Sequence, residues 1–401
     1  MYLCKKNFEQ RLVVSNKNII FAPKKQSSMK KMVDLFAGCG GLSLGMEQAG
    51  FTTVFANELN DSLFETYLSN RILPPQSYFK GDINILNKKL ESYPILSTDI
   101  DLVCGGPPCQ GFSMANRQRI LDDPRNNLYK AFLSFLKKVR PKFFVMENVK
   151  GMSNKISEII ENFKIYLGND YIYSYTLLNT KDFGLPQNRE RFFVIGNRLN
   201  IDIDQLFLEV RKHRLARPFL LKDAIDDLPV LKPNRIKNNT KIENNDIGFY
   251  KIAYNYPYSE YANFINNGRE VNFLYNHKNR YNNDRDIEIF SLLPQGANSL
   301  HKSIEHIMPY KNRNHIFKDK YFKLKEDEVC KTITSHMKFD CNMYIHPKQP
   351  RGLSPREAAR IQTFPDYYIF EGNLSHWYAQ IGNAVPVKLA EFIGKEIIKY
   401  L

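Results

Sequence analysis

A single thiol stands in the most distinctive turn of this chain. Residues 105–113 read GGPPCQGFS and directly follow the apolar run 101–104, which predicts the end of a buried strand. Its glycines and prolines favour a fixed turn, so Cys109 would be presented at the carboxyl edge of a sheet, where open α/β folds bind ligands. A lone Pro-Cys pair is typical of a tight turn with a buried cysteine. Nine residues of this kind in order are much more specific than such a pair.

A carboxyl group and two guanidinium groups accompany this thiol in the sequence. Glu147 ends the strand predicted over 143–147, so its carboxylate would emerge at the same sheet edge as Cys109. Arg189 and Arg191 stand just before another buried strand, where they are plausible cations for lowering the pKa of the thiol. Each residue alone is typical of a solvated loop or a surface charge run. Together they predict a nucleophile and an acid on one edge of a sheet.

A glycine-rich segment, residues 34–42 (DLFAGCGGL), joins the first predicted strand to the first predicted helix. It is not the dinucleotide fingerprint GxGxxG, because Ser43 stands where the third glycine would fall. Glycines still let the backbone approach a ligand, and Glu58, at the end of the next predicted strand, is placed to bind a ribose diol. Asp82 could accept a hydrogen bond from an adenine amino group. These residues predict a site for an adenosine-containing molecule.

The first half of the chain alternates short apolar runs with helical patterns. This alternation predicts an α/β fold with a mostly parallel, doubly wound sheet and helices on both faces. Strands are predicted over 31–36, 53–57, 99–104, 143–147 and 192–196, and helices over 41–49, 61–69 and 128–139.

The amino-acid composition changes near residue 197, where Asn, Lys, Arg and Tyr become frequent and the periodicity of the apolar residues weakens. This region is too long for a connecting loop and predicts a second, smaller, loop-rich lobe. A helical pattern returns over 351–363, with Ser354 as N-cap and Pro355 at the first helical position, and a last helix is predicted over 391–400. The predicted organisation is a basic N-terminal extension (1–28), a catalytic and cofactor-binding domain (29–198), the loop-rich lobe (199–345), a hinge and return helix (346–378) and a segment completing the first domain (379–401).

The charge balance favours a polyanionic partner. Lys and Arg outnumber Asp and Glu by 57 to 42, and the net charge of +15 favours nucleic acid first and an anionic membrane surface second. No apolar run approaches the roughly 20 residues that span a bilayer, and the N-terminus lacks the apolar core of a secretory signal. The 6 cysteines indicate neither a disulfide framework nor a zinc site. We therefore expect a cytoplasmic protein with no bound metal and no membrane contact.

Taken in order, these motifs resemble those of the cytosine-C5 DNA methyltransferases of bacterial restriction–modification systems. The resemblance begins with the glycine-rich segment and with residues 105–113, the thiol loop that contains Cys109. It continues through 147–149 (ENV) and 187–191 (QNRER). It ends with 351–365 (RGLSPREAARIQTFP) and 380–386 (QIGNAVP). Between Val33 and Val387 the loop-rich lobe is the only long stretch outside it. The departures are small, and neither touches the chemistry: Val387 replaces a common proline and Ser354 a common threonine.

The resemblance implies a Rossmann-like domain that uses S-adenosyl-L-methionine to methylate carbon 5 of a flipped-out cytosine in double-stranded DNA. It implies that Cys109 adds to C6 of the base, that Glu147 is the acid, and that Arg189 and Arg191 steady the base. Phe36 would lie against the adenine ring. The implied cofactor-binding residues are Phe36, Gly38, Gly40, Gly41, Leu42, Glu58, Leu59, Asp82, Ile83, Pro107, Asn383 and Val385. The implied DNA-binding residues are Gln110, Ser113, Arg280, Thr334 and Arg351.

The resemblance also implies a monomer whose loop-rich lobe reads the DNA sequence and which works independently of a cognate restriction endonuclease. Three alternatives stay open. An RNA methyltransferase of the same fold is disfavoured by the length of the lobe, since its relatives have a much shorter one. An inactive DNA-binding regulator is disfavoured by the intact Cys109, Glu147, Arg189 and Arg191. A nicotinamide-dependent dehydrogenase is disfavoured by Ser43 and by the thiol loop.

Overall fold

The computed structural model of this protein describes residues 29–108, 128–237, 241–254, 259–309 and 320–401. The predicted N-terminal extension lies outside these ranges. No helix within them is both long and apolar enough to cross a bilayer. The strands are β1 (Lys30–Leu35), β2 (Phe51–Glu58), β3 (Tyr78–Lys80), β4 (Leu102–Gly105), β5 (Phe143–Val149), β6 (Ile172–Asn179), β7 (Gln187–Asn188), β8 (Glu190–Asn197), β9 (Gly248–Ala253), β10 (Phe273–Lys278) and β11 (Cys330–Lys331).

A seven-stranded sheet in the order β3-β2-β1-β4-β5-β8-β6 forms the centre of the described structure. Strands β1 to β5 pair in parallel, whereas β8 runs antiparallel to both β5 and β6. The predicted α/β class with a mostly parallel sheet is confirmed. The order reverses between β1 and β4, which lie side by side although their connections lead to opposite edges. At such a point the loops after the two strands diverge, and a ligand crevice opens at the carboxyl ends of the strands.

Helices cover both faces of this sheet and build the second lobe. Two of them, α2 and α4, have the predicted bounds. The helices are α1 (Gly41–Gln48), α2 (Asp61–Ser69), α3 (Ile83–Leu86), α4 (Leu128–Val139), α5 (Ile156–Leu167), α6 (Ile203–Arg211), α7 (Leu221–Ile225), α8 (Glu260–Ile265), α9 (Asp284–Leu292), α10 (Pro355–Ile361), α11 (Leu374–Asn383) and α12 (Val387–Ile397).

The two faces of the sheet carry separate apolar cores, because successive residues of a strand point to opposite faces. Met32 of β1 packs in a core with α1, α6 and α12, whereas its neighbour Val33 packs in the core under α4 and α5. Helix α6 therefore belongs to the layer that covers the sheet. The predicted domain boundary at residue 198 differs, since it places α6 in the loop-rich lobe.

The second lobe is joined to the sheet domain through a shared core. Its antiparallel hairpin β9–β10 contacts α10, and buried Tyr261 of α8 lies in one apolar cluster with Ala358 and Phe364. Helix α10 begins as predicted: Ser354 is its N-cap and accepts from the Glu357 backbone N–H at 3.2 Å. The Glu357 carboxylate in turn accepts from the Ser354 N–H at 2.7 Å, which completes a capping box.

Close approach of α1 and α12 depends on glycine. A β-carbon added at Gly45 would lie 2.3 Å from the Val387 carbonyl oxygen and 2.5 Å from the Ala390 β-carbon. These are backbone and short side-chain atoms that have no flexible end to move aside. The C-terminal helix can therefore cover this part of the sheet only if position 45 has no side chain.

We predict that Gly45→Ala lowers the free energy of unfolding, although alanine is the better helix former by about 1 kcal/mol. The clash should outweigh that gain, because overpacking a close-packed site costs roughly 1–3 kcal/mol. Urea unfolding of the full chain measures the difference. Glu65→Ala on the exposed face of α2 serves as the control and should stay within about 0.5 kcal/mol of wild type. An unchanged or raised stability of Gly45→Ala would contradict the packing argument.

Candidate active site

The carboxyl ends of four parallel strands bring the predicted site residues to one edge of the sheet. Phe36 follows β1, Glu58 ends β2, Gly106 follows β4, and Glu147 lies near the end of β5. Residues separated by more than a hundred positions therefore border the crevice at the β1/β4 switch point. Three predicted residues, Cys109, Gln110 and Ser113, lie outside the described residues.

The carboxyl group of Glu147 is buried and pairs with one arginine. Glu147 pairs with Phe193 across the β5–β8 ladder, so Arg191, two residues before Phe193, is its diagonal neighbour on the same face. The Arg191 Nε lies 2.8 Å from Glu147 Oε1, and only 11% of the Glu147 side chain is exposed. Burial raises the pKa of the Glu147 carboxyl, and the nearby charges of Arg191 and Arg189 oppose that rise. The group is therefore easier to protonate than an exposed glutamate.

The base of the thiol loop is held against this carboxyl group. Asn148 donates a hydrogen bond from Nδ2 to the carbonyl of buried Pro107 at 2.8 Å. A β-carbon at Gly106 would lie 3.1 Å from Glu147 Oε2, so the missing side chain lets the loop approach the acid closely. Gly106, three residues before Cys109, therefore lies beside the predicted acid where the chain enters the loop.

Arg189 faces the protein interior, and this corrects its predicted contact with the base. Its side chain is fully buried and donates to the carbonyls of Gly382 at 3.0 Å and Ala384 at 2.9 Å. A further hydrogen bond of 2.5 Å goes to the carbonyl of Ile333. Because it donates to three backbone carbonyls, the Arg189 guanidinium is a positioning group that connects separate segments of the chain. Of the two arginines, Arg191 is the one that forms an ion pair with Glu147.

The glycine turn that follows β1 lies in the segment predicted to bind an adenosine-containing molecule, and several of its residues adopt left-handed backbone conformations. Gly38 has a φ of 55° and Gly40 a φ of 85°, and Phe36 shares this region with a φ of 54°. Positive φ costs energy for a residue with a side chain, so the surrounding structure must hold Phe36 there. The Gly38 N–H donates to Glu58 Oε2 at 2.8 Å.

The groups around the turn fit an adenosine-type ligand. Glu58 is only partly exposed and its carboxylate is fixed by backbone N–H groups, which leaves lone pairs for a ribose diol. The next residue, Leu59, is 68% exposed beside it. Asp82 caps α3 by accepting from the Asn84 N–H at 2.7 Å through Oδ1, so one of its two carboxylate oxygens has a structural task.

Residues that are more than three hundred positions apart in the sequence meet at this turn. A β-carbon at Gly41 would lie 2.6 Å from the Val385 carbonyl oxygen, and exposed Asn383 ends α11 two residues earlier. Leu42 and Ile83 stay predicted cofactor contacts. Their side chains pack in the apolar cores on the two faces of the sheet.

The predicted DNA-binding residues differ in accessibility. Thr334 is half-buried, with its hydroxyl 3.1 Å from that of Tyr344. Arg280 donates to the carbonyls of Met337 and Phe339, both at 2.7 Å, so its guanidinium shapes the turn after Thr334. Arg351 is fully buried and pairs with Glu357, which rules out the predicted contact with DNA in this conformation.

Comparison with known proteins identifies the family to which this geometry belongs. Residues 30–399 match the family described as C-5 cytosine-specific DNA methylase. The chain belongs to this family. As a member it is a DNA (cytosine-5-)-methyltransferase, in agreement with the resemblance of its sequence motifs.

Relatives match along nearly the whole chain. The methyltransferase is 33% identical over 388 residues to the Type II methyltransferase M.DdeI of Desulfomicrobium norvegicum, covering 92% of this chain and 88% of the relative. It is 32% identical over 374 residues to the Type II methyltransferase M.MthTI of Methanothermobacter thermautotrophicus, covering 92% and 97%.

Solved structures agree on the fold. A prophage-encoded chain from E. coli, described as a DNA modification methyltransferase, superimposes with a TM-score of 0.71 at 27% identity, covering 93% of this chain and 99% of that one. The Dnmt2 methyltransferase of S. pombe shares the fold with a TM-score of 0.54 at 16% identity, covering 92% and 98%.

Two residues of the methyltransferase that the sequence motifs do not single out contact the glycine turn from inside. Arg71 follows α2 and donates to the carbonyl of Gly40 at 3.2 Å, and the Tyr368 hydroxyl donates to the carbonyl of Cys39. Arg71 gives no sequence signal, because it is a single arginine after an amphipathic helix. Tyr368 lies just beyond the motif that ends at Pro365.

The methyltransferase buries a carboxyl group beneath the turn at Asp34. Burial raises the pKa of Asp34 from 3.8 to about 6, so folding keeps a proton that the unfolded chain releases at lower pH. The stability associated with this proton is complete below about pH 4 and is lost as the pH rises to about 6.

We predict that Asp34→Asn reduces this loss of stability. Between pH 5 and pH 7.5 the wild type should lose about 1 kcal/mol more free energy of unfolding than the variant, because one pKa unit corresponds to about 1.4 kcal/mol. Urea unfolding without added cofactor at the two pH values measures the difference. Equal losses in both proteins would show that the Asp34 pKa is not raised.

Proposed function

We propose that this methyltransferase transfers a methyl group from S-adenosyl-L-methionine to carbon 5 of a flipped-out cytosine in a specific double-stranded DNA sequence, through a covalent bond between Cys109 and C6 of the base. The observation that carries the proposal is the close approach of Gly106, at the entry to the thiol loop, to the buried Glu147 carboxyl, where a β-carbon would lie 3.1 Å from Oε2. It supports a nucleophile and an acid that act on one ring.

The chemistry of cytosine explains why both groups are required. Carbon 5 is a poor nucleophile, and addition of the Cys109 thiolate to C6 makes it electron-rich. A protonated Glu147 would donate a hydrogen bond to N3 and offset the negative charge that develops there, and its raised pKa supports that protonation state. Arg191 would hold the carboxyl group in place. Once carbon 5 carries the methyl group, loss of the C5 proton to water allows the bond to Cys109 to break.

S-adenosyl-L-methionine supplies the methyl group when bound. We propose that the Glu58 carboxylate accepts from its ribose and that Phe36 lies against its adenine. Asp82 would accept from the adenine amino group. Among the described residues, no side chain caps the start of α1. The backbone N–H groups there would face the carboxylate of the cofactor. The left-handed turn at Gly38 and Gly40 leaves room for this approach.

The loop-rich lobe would read the DNA sequence. Cytosine C6 cannot be reached in a stacked duplex, so the base must leave the helix at a cost of a few kcal/mol, which contacts to the opened duplex offset. The net charge of +15 supports phosphate contacts, which position the DNA, while a few contacts to base edges would carry the specificity. Thr334 is half-buried near the exit of the lobe and is our candidate for such a contact.

The setting that we propose is restriction–modification. Relatives of this chain are named Type II methyltransferases. Methylation of the host sequence would protect it from a cognate endonuclease that acts independently, with the methyltransferase working as a cytoplasmic monomer.

We predict that Cys109→Ser abolishes methylation of DNA in cells. Bisulfite sequencing of a plasmid from cells expressing the wild type should show one methylated sequence, and the variant should show none. A duplex containing 5-fluorocytosine should trap the wild type covalently, because fluorine cannot leave as the proton does. An adduct that still forms with Cys109→Ser would mean that another residue is the nucleophile.

We predict that Glu147→Gln slows the methyl-transfer step by roughly 10²–10⁴-fold, the range for one acid–base group. Its DNA affinity should stay within a few-fold of wild type, because the amide keeps the shape of the carboxyl group. Single-turnover kinetics with saturating cofactor isolate the step, and filter binding supplies the affinity. Near-wild-type turnover would remove Glu147 from the mechanism.

A further inference from the structure

The carbonyl groups of the glycine turn are held from inside the protein. The turn has little side chain of its own to fix it, since Gly38, Gly40 and Gly41 surround one buried cysteine, Cys39. The Tyr368 hydroxyl donates to the carbonyl of Cys39, and Arg71 Nη2 donates to the carbonyl of Gly40 at 3.2 Å. Both carbonyls therefore point away from the crevice.

Arg71 is itself fixed on every side. Its Nε donates to Glu47 Oε1 at 2.9 Å, its Nη1 to the Tyr368 hydroxyl at 3.1 Å, and its Nη2 also to Ser43 Oγ at 3.2 Å. The guanidinium carbon lies 4.0 Å from the ring centre of Tyr67, and 6% of the side chain is exposed. A planar guanidinium suits this arrangement, because it can donate in several fixed directions at once. We call Arg71 and Tyr368 the turn clamp.

The turn clamp also explains the departure at Ser43 from the dinucleotide fingerprint. A glycine at that position could not accept the hydrogen bond that Ser43 Oγ accepts from Arg71. The turn clamp packs closely against Gly40: a β-carbon at Gly40 would lie 2.7 Å from Arg71 Nη1 and 2.9 Å from the Tyr368 hydroxyl. The turn cannot move inward, and moving outward would break its hydrogen bonds to the clamp.

The other side of the same turn faces the proposed cofactor site. The Gly38 N–H donates to Glu58 Oε2, so a shift of the turn would displace the carboxylate proposed to bind the ribose. We propose that Arg71 and Tyr368 are positioning residues for the cofactor: they do not touch it, but they set the turn at the distance from Glu58 that binding requires. This inference rests on the proposed use of S-adenosyl-L-methionine.

A matched pair of tyrosine variants tests the clamp. Tyr368→Phe removes the hydroxyl that binds the turn. Tyr171→Phe removes the hydroxyl of another buried tyrosine, which donates to the Pro141 carbonyl at 2.7 Å, away from the turn. Isothermal titration of the full chain with S-adenosyl-L-methionine should give a Kd about 5- to 10-fold higher for Tyr368→Phe, because the turn loses the hydrogen bond to the Cys39 carbonyl and Arg71 loses its bond to the hydroxyl. Tyr171→Phe should stay within about twofold of wild type, since one hydrogen bond outside the site affects folding and not affinity.

Steady-state kinetics separate positioning from a general loss of structure. For Tyr368→Phe the KM for the cofactor should rise by about the same factor as the Kd, while kcat and the KM for DNA stay within about twofold. Arg71→Lys keeps the positive charge beside Glu47 but loses the planar guanidinium that donates to several acceptors at once, so it should also weaken cofactor binding. Arg71→Met should weaken binding further, by about tenfold or more. If Arg71→Met does not fold, Tyr368→Phe and Arg71→Lys carry the test.

The outcomes distinguish the two proposals. A wild type that does not bind S-adenosyl-L-methionine would overturn the proposed function and the clamp with it. A wild type that binds, with Tyr368→Phe and Tyr171→Phe indistinguishable from it, would overturn the clamp alone. An equal fall in kcat and in the affinities for both substrates would mean that Tyr368 acts through overall structure, and it would likewise overturn the clamp.

Discussion

The assembly of this site depends on one buried guanidinium. Arg189 leaves the sheet edge and donates to the carbonyls of Ile333, at the exit of the loop-rich lobe, and of Gly382 and Ala384, at the end of α11. Burial lowers the pKa of Arg189, because the charged form loses its hydration. Repulsion from the charge of Arg191 lowers the pKa further. Three backbone carbonyls at hydrogen-bond distance compensate that cost. Without this residue the carbonyls of Ile333 and Gly382 would lose this buried donor, at a cost of about 1–3 kcal/mol for each carbonyl left unpaired. The Ala384 carbonyl would keep a 3.3 Å hydrogen bond from Gln362 Nε2. The sheet, the lobe and the C-terminal segment therefore meet at a single side chain.

Three carboxyl groups near the ends of parallel strands are also withdrawn from water, and specific donors replace water at two of them, Glu58 and Glu147. Asp34, Glu58 and Glu147 lie at the ends of β1, β2 and β5, and burial raises the pKa of each. Glu58 is held by backbone N–H groups and Glu147 by Arg191, so the two carboxyls differ in environment although both stand on one edge. The first arrangement suits hydrogen bonding to neutral hydroxyls. In the second, burial favours the protonated carboxyl group, while the positive charge of Arg191 favours the ionised one.

Local patterns were sufficient for the elements whose apolar periodicity is strong. Helices α2 and α4 have their predicted bounds, and Ser354 caps α10 as predicted, because capping and amphipathic spacing are properties of neighbouring residues. The predicted elements leave out β6, an edge strand whose mixed burial gives no alternation. They also leave out α5, although its buried residues Ile159, Phe163 and Leu167 recur every four positions. The assignment of α6 to the loop-rich lobe reflects a change of composition that does not coincide with the packing.

The sequence by itself determined the chemistry of this protein: the ordered motifs identify the family, the α/β class and the strand ends that carry Glu58 and Glu147. These signals are local, so one chain was enough to find them. Only the tertiary structure decided how accessible each charged residue is. Arg189 and Arg351 belong to motifs that suggest contacts with the substrate, yet both are buried and bind partners within the protein. Arg71, which no motif includes, reaches the glycine turn. A guanidinium has the same chemistry in all three places, and its role is set by which distant segments the fold brings within hydrogen-bond distance.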